Sequence, residues 1–221
     1  MKPSTVALSA GVLPIVCVHL CYIVAASYGH VPWCIPYWES CTSISATGRH
    51  PPEFFIFKLL MIPTALLMMH YWALTKQWLF ELNSTQASHL TVIHVLGVLA
   101  GLALILYTAA LGIVGDAFQT VRRIGITLFF GFTAFSHILV VKQLSSYCAP
   151  HSASPIKAVY YWQLGLSTLL VLGGTANGIL NLLYERFNEI NDAIEWSFAI
   201  VMILQFIVSY FAWKHTGFQH K

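Results

Sequence analysis

Charge is what this chain has least of. Only 9% of its residues are charged, against roughly 25% in a soluble domain. Hydrophobic residues make up 57% and the mean hydropathy is +0.71. Such a surface could not stay in water, and hydrocarbon is the solvent that fits. The 11 Lys and Arg and the 8 Asp and Glu are dispersed without a basic run, which gives no footing for nucleic acid as a partner. The Walker loop, the dinucleotide fingerprint, HExxH and GxSxG are all missing, and with them a recognisable soluble-enzyme site. No cleavable leader is expected: the first apolar stretch is longer than an h-region, and no small-residue cleavage site follows it.

What is there is six apolar runs, each meeting or approaching the ~20 residues that carry a helix across the bilayer core. They lie at about 7–27, 54–74, 89–112, 124–141, 159–183 and 193–213. The fold expected is all-α: an integral membrane bundle of six transmembrane helices forming a single transmembrane domain over 1–221. Helices are required because backbone groups in lipid must be paired internally. The connection 28–52, rich in Pro, Cys, Trp and Ser, is the one with room for structure of its own. Short polar stretches, Asn83-Ser84-Thr85-Gln86, the loop 145–154 and the run 185–192, join later spans.

With six spans both termini share one side. That side carries Lys2, Lys76, Lys142, Lys157, Lys214 and Lys221; the other carries Arg49, Arg122, Arg123 and Arg186. The positive-inside rule then puts the termini in the cytoplasm. The membrane expected is a plasma membrane, a bacterial inner membrane or an endomembrane. The first loop falls on the exoplasmic, oxidising side, which permits a disulfide between Cys34 and Cys41; two unpaired loop cysteines are the alternative.

Ionisable residues inside spans point to function by default. Glu195, three residues into the sixth span, is either a carboxylate facing the bundle or an interfacial one beside Trp196 in the aromatic belt. Lys58 is expected to reach outward from the second span. His94 and His137 lie at similar depth on antiparallel neighbours. They could share a metal, a haem iron or a proton, but no acidic partner is expected at that depth, and a singly hydrogen-bonded core histidine is the commoner case. No metal and no cofactor is therefore assigned. His19 and His70 each stand alone. The exoplasmic connections gather Ser43, Ser45, Arg49, His50, Glu53, Asp116, Arg122, Arg123, Glu185, Arg186 and Glu195. Arginine matches phosphate geometry by bidentate bonding, so these residues form either a headgroup mouth or a set of interfacial ion pairs. Gly112, Gly115, Gly125, Gly131, Gly173, Gly174 and Gly178 are expected to permit close helix approach.

Three segments carry a family resemblance. Ser43-Ile44-Ser45-Ala46-Thr47-Gly48, followed by Pro51-Pro52-Glu53, resembles the first-loop signature of the Frag/DRAM/Sfk-type membrane proteins. These include the damage-regulated autophagy modulators and a Golgi protein that remodels glycosylphosphatidylinositol anchors. Phe135-Ser136-His137-Ile138-Leu139 is similar to the histidine-bearing fourth span of the remodelling branch, and Ala193-Ile194-Glu195-Trp196 to the start of the last span in both branches. The resemblance implies six spans, cytoplasmic termini and work on or around lipids: anchor remodelling, phospholipid asymmetry or autophagy regulation. It carries over to Ser45, Gly48, Glu53, His137 and Glu195.

The leading expectation is a lipid-handling protein, with Glu53, Arg122, Arg123 and Glu195 lining an exoplasmic mouth and Ser45 and Gly48 shaping the loop above it. Its partners would be membrane lipids and other membrane proteins. The rival readings are a lipid acyltransferase or hydrolase using His137 or Glu195 as general base, a haem electron carrier using His94 and His137, and a non-catalytic scaffold.

Overall fold

Pro3 opens the first helix, where a missing N–H costs nothing, and α1 runs Pro3–Ser27. Gly29 ends it. Its φ of +73° turns the chain so that the Gly29 and His30 N–H groups donate to the Ala26 and Ala25 carbonyls, closing the last turn. The computed structural model describes residues 1–83, 87–149, 156–183 and 190–219. After α1 come the short α2 (Pro36–Glu39) in the first loop, α3 (Glu53–Asn83), α4 (Ala87–Ala110), α5 (Asp116–Cys148), α6 (Ile156–Leu183) and α7 (Asn191–His215), with no strand among the described residues. All except α2 are long and apolar enough to cross a membrane, so the six expected spans are present.

Two helices outrun their apolar stretches. α3 continues to Asn83, and α5 covers Asp116–Cys148 where the hydrophobic run suggests 124–141. An apolar run marks where hydrocarbon ends, whereas the backbone ladder continues through good polar helix formers such as Lys76, Gln77, Lys142 and Gln143. Arg122 and Arg123, expected to follow a turn, therefore sit within the helix itself.

Each spanning helix packs on its neighbours in sequence, and α1 packs on α7. The result is a closed ring in the order α1, α3, α4, α5, α6, α7, with sparse contacts across it from α3 to α5 and α5 to α7. α6 is the loosest member. Its buried residues, Ile156, Val159, Gln163 and Ser167, recur at helical spacing on one face, and from 168 to 180 none is buried. The lower half of α6 is held by amides: Gln163 Nε2 donates to the Gln205 carbonyl at 2.8 Å and to Ser209 Oγ at 3.2 Å. Gln205 Nε2 donates to Ser167 Oγ at 2.8 Å, and Tyr71 shares a proton with Ser209 Oγ at 2.7 Å.

Close approach does occur at Gly125, whose missing Cβ would lie 3.0 Å from the Ala103 carbonyl and the Tyr107 backbone. Gly131 and Gly178 differ from expectation: nothing comes within 4 Å of either, because they face outward from the ring. The tightest seat is one the helix-glycine reading passed over, Gly97, against which the Trp72 indole lies flush.

The first loop is fastened to the helix ends. Cys34 and Cys41 are disulfide-bonded. Tyr22 on α1 donates its hydroxyl proton to the Cys34 carbonyl and accepts the Cys34 N–H, both at 2.7 Å. His19 Nδ1 donates to the Ile15 carbonyl at 2.7 Å, which leaves Nε2 to accept the Tyr37 hydroxyl at 2.8 Å; partial burial pushes the Tyr37 phenol above its ordinary value. Trp196 on α7 donates its indole N–H to the Thr42 carbonyl at 2.9 Å. Ser40 Oγ accepts the Ala193 N–H at 3.2 Å, capping the first turn of α7 from another part of the chain. Trp196 is thus buried beneath the loop, 1% exposed, and is not a residue of the aromatic belt.

Two outcomes follow from this packing. Gly97→Ala drives a methyl into the Trp72 ring and lowers stability by about 1–3 kcal/mol, while Gly131→Ala is neutral or gains up to about 1 kcal/mol; thermal unfolding in mild detergent measures both, and equal losses would refute the packing account. Trp196→Phe keeps the ring, removes the bond to Thr42 and costs roughly 1–3 kcal/mol, read as faster limited proteolysis within 28–52; an unchanged cleavage rate would show that the indole N–H does not hold the loop.

Candidate functional site

The loosely held half of α6 leaves a gap at the first-loop end of the ring. A cleft of about 930 Å³ occupies it. α5 supplies Gln119, Arg122, Arg123, Ile126, Thr127 and Phe130; α6 supplies Gly174 and Asn177; α7 supplies Asn191, Ile194, Glu195 and Phe198. Ser45 and Arg49 of the first loop and Tyr107 of α4 complete the wall. Below lies a smaller apolar chamber of about 50 Å³, walled by Phe57, Met61, Leu104, Phe129, Met202 and others. Tyr107, Ile126, Phe130 and Glu195 line both spaces, so the chamber is the floor of the cleft.

Helix periodicity explains which side chains converge. Gln119, Arg122, Arg123, Ile126, Thr127 and Phe130 follow the three-and-four spacing that puts residues on one face of α5. Arg122 is half structural: its Nη1 donates to the Ala110 carbonyl at 3.2 Å and the Ile113 carbonyl at 2.8 Å, closing the C-terminal end of α4. The guanidinium has five donors in all, so one face of it remains for the cleft. Arg49 Nη2 donates to Ser45 Oγ at 3.5 Å, and Ser43 and Ser45 share a proton at 3.1 Å. Glu195 is half-buried and lies beside the Ile44 backbone. Three arginines and one carboxylate therefore face one another across a polar space that opens onto lipid-exposed helix.

Of the residues singled out from sequence, Ser45, Arg49, Arg122, Arg123 and Glu195 come together here. Glu53 does not. It is fully buried at the start of α3, with Oε1 bonded to His30 Nδ1 at 2.7 Å and Oε2 without a partner among the described residues. The turn that brings 43–52 down onto the bundle points the first residue of α3 inward. Gly48 also stands off the cleft; a Cβ there would meet the Phe57 ring at 2.8 Å and Leu111 at 3.0 Å, so it lets the loop lie flat. Lys58 reaches toward this same end: its Nζ donates to the Ala109 carbonyl at 2.9 Å and lies 4.0 Å over the Phe54 ring. Glu185 and Arg186 lie outside the described residues.

The histidine pair is not assembled around a common ligand. His137 is fully buried, its ring 4.9 Å from Trp72 and 5.2 Å from Phe206. Trp72 also fills the face of α4 at Gly97, one turn from His94, so its indole packs against both His137 and α4. No set of three metal-ligating side chains occurs among the described residues. His137 lies near the Gln163 side chain, and neither of its ring nitrogens has a hydrogen-bond partner among the described residues. Phe206 is eleven residues beyond Glu195 on α7, about 16 Å of helix rise, so His137 and Glu195 do not act on one bond.

Sequence reasoning missed Gln119, Tyr107 and Asn177 as wall residues. They carried no signal, since nothing in their local pattern distinguishes a cleft wall from an interface.

A family model described as the Frag1/DRAM/Sfk1/Cwh43P N-terminal domain matches residues 3–216. No curated protein and no solved structure matches the chain. A match over nearly every residue, on a bundle with the six apolar helices described above, means that the chain belongs to the Frag1/DRAM/Sfk1/Cwh43P family of multi-pass membrane proteins.

Proposed function

We propose that the chain binds a membrane lipid by its headgroup in the arginine cleft, with the first loop outside the cytoplasm and both termini within it. The observation that carries this reading is the stacking of a cationic, headgroup-sized cleft directly on an apolar chamber, with four side chains common to both. Arg49, Arg122 and Arg123 suit a phosphate. Glu195, on the opposite wall, suits an ammonium. A phospholipid or glycolipid headgroup bearing both charges, such as one with phosphoethanolamine or phosphocholine, answers this pattern better than a purely anionic one.

The chamber is too small to hold more than the first methylenes of an acyl chain. The rest of the chain leaves sideways between α5 and α6, where Ile124, Leu128, Val171 and Leu172 are already exposed and lipid is the natural neighbour. Binding of this kind serves remodelling, transbilayer asymmetry or presentation equally well. The cysteine bridge in the first loop supports an oxidising compartment on that side.

The test is phospholipid retained by the purified protein in mild detergent, read by native mass spectrometry. Arg49→Gln with Arg123→Gln removes two charge-assisted contacts of roughly 1.5–3 kcal/mol each, so affinity for zwitterionic phospholipid falls at least about a hundredfold. Glu195→Gln lowers retention of choline and ethanolamine lipids more than that of phosphatidic acid. A protein that keeps no phospholipid, or variants that keep as much as the parent, would overturn the reading.

A further inference from the structure

A second cleft, of about 620 Å³, opens at the other end of the ring, on the membrane face that carries both termini. It lies between the start of α1 and the end of α7. Its walls include Lys2, Ser4, Trp213, Lys214 and Phe218, and none of its lining residues is acidic. This face has no part in the arginine cleft.

Several independent features favour an anion there. α1 is a helix of 25 residues whose N-cap, Lys2, makes no side-chain cap bond and whose first turn holds no acidic residue. Its first amides thus lack a side-chain cap, and no acidic side chain of its own first turn faces the positive end of the helix dipole. Lys2 and Lys214 bring two ammonium groups from opposite ends of the chain, and neither forms an ion pair with a described residue. Trp213 is 1% exposed, and its indole N–H finds no acceptor among the described residues. Trp213 lines the cleft; a buried donor left unpaired is costly, and an anion that reaches the indole edge relieves that cost.

The end of α7 is arranged so as not to repel such an anion. Helix C-termini carry partial negative charge on their free carbonyls. Here Gly217, at φ +64°, turns the chain back. The Thr216, Gly217 and Phe218 N–H groups donate to the Ala212, Lys214 and Trp213 carbonyls. The Phe218 ring then packs 5.6 Å from that of Trp213, closing the cleft on its apolar side.

We propose that this cleft binds a phosphate-type anion through Lys2, Lys214, the Trp213 N–H and the uncapped start of α1. Its place at a membrane face makes the headgroup of an anionic phospholipid the occupant, in the leaflet opposite the arginine cleft. The absence of a carboxylate distinguishes it from that cleft, so it prefers phosphatidic acid to phosphatidylcholine.

The experiment uses the full chain in detergent, in the Arg49→Gln/Arg123→Gln background, so that lipid held at the arginine cleft does not contribute. Short-chain phosphatidic acid, short-chain phosphatidylcholine and inorganic phosphate are titrated separately, with native mass spectrometry as readout. Lys2→Gln with Lys214→Gln removes two interfacial cations worth about 1 kcal/mol each, so affinity for phosphatidic acid falls about thirtyfold. Trp213→Phe, which keeps the ring, lowers it about fivefold, the value of one neutral hydrogen bond. Both lysines are exposed, so the ligand-free thermal midpoint of the double lysine variant stays at that of the background. Inorganic phosphate that binds with the same lysine dependence shows a site for the anion itself, and phosphatidic acid alone binding shows a lipid site; either supports the proposal. Unchanged phosphatidic acid affinity in the lysine variant, or phosphatidylcholine bound as tightly as phosphatidic acid, overturns it.

Discussion

In hydrocarbon an unpaired peptide N–H or C=O costs several kcal/mol, so each spanning segment must close its own hydrogen bonds before it packs on anything. A helix that has done so needs no neighbour to keep its backbone satisfied. That independence permits the outer half of α6 to stand with no buried residue from 168 to 180 while its lower half is tied to α7 through Gln163, Gln205 and Ser167. In water such a half-detached apolar helix would collapse onto α5. In lipid it remains apart, and the cleft between α5, α6 and α7 is the consequence.

The same constraint governs the helix ends, where the ladder runs out. α4 ends at Ala110 beside the cleft, and its last carbonyls are met by two cations: Lys58 on Ala109 and Arg122 on Ala110. From sequence, Lys58 is expected to reach outward and Arg122 to line the mouth. Both are also caps, supplied by α3 and α5, which explains how the guanidinium of Arg122 is held in one orientation at the wall of the cleft. Positive charge at this mouth is therefore partly a structural requirement of α4 and partly available to a ligand.

The number and order of spans were legible because hydrophobic runs of that length have one stable environment. Their ends were not, since Lys76 or Lys142 continues a helix as well as any apolar residue. Ser45, Arg122, Arg123 and Glu195 could be grouped from sequence because loop adjacency and arginine chemistry both pointed to the same end. Glu53 shares that end, yet faces inward to His30; side-chain direction at the first residue of a helix depends on how the preceding loop folds, which no local pattern encodes. Gln163 and Gln205 escaped notice for a different reason. Attention to charge inside spans overlooks neutral amides, although these carry the interhelical hydrogen bonds.

The first loop and the cleft are mechanically one unit. Thr42, Ile44 and Ser45 supply, in succession, a bond to Trp196, a backbone beside Glu195 and a part of the cleft wall. Trp196 and Glu195 are adjacent on α7, so the indole that anchors the loop also holds Ile44 near the carboxylate. The disulfide and Tyr22 hold the remainder of the loop against α1. Displacing 42–45 would take Ile44 away from Glu195 and remove Ser45 and Arg49 from the wall together. Polar groups on both sides of the cleft thus depend on the loop's anchorage to α7 through Thr42 and Ser40, and the loop's contribution to any headgroup contact is set by the stability of that anchorage as well as by the strength of the contact itself.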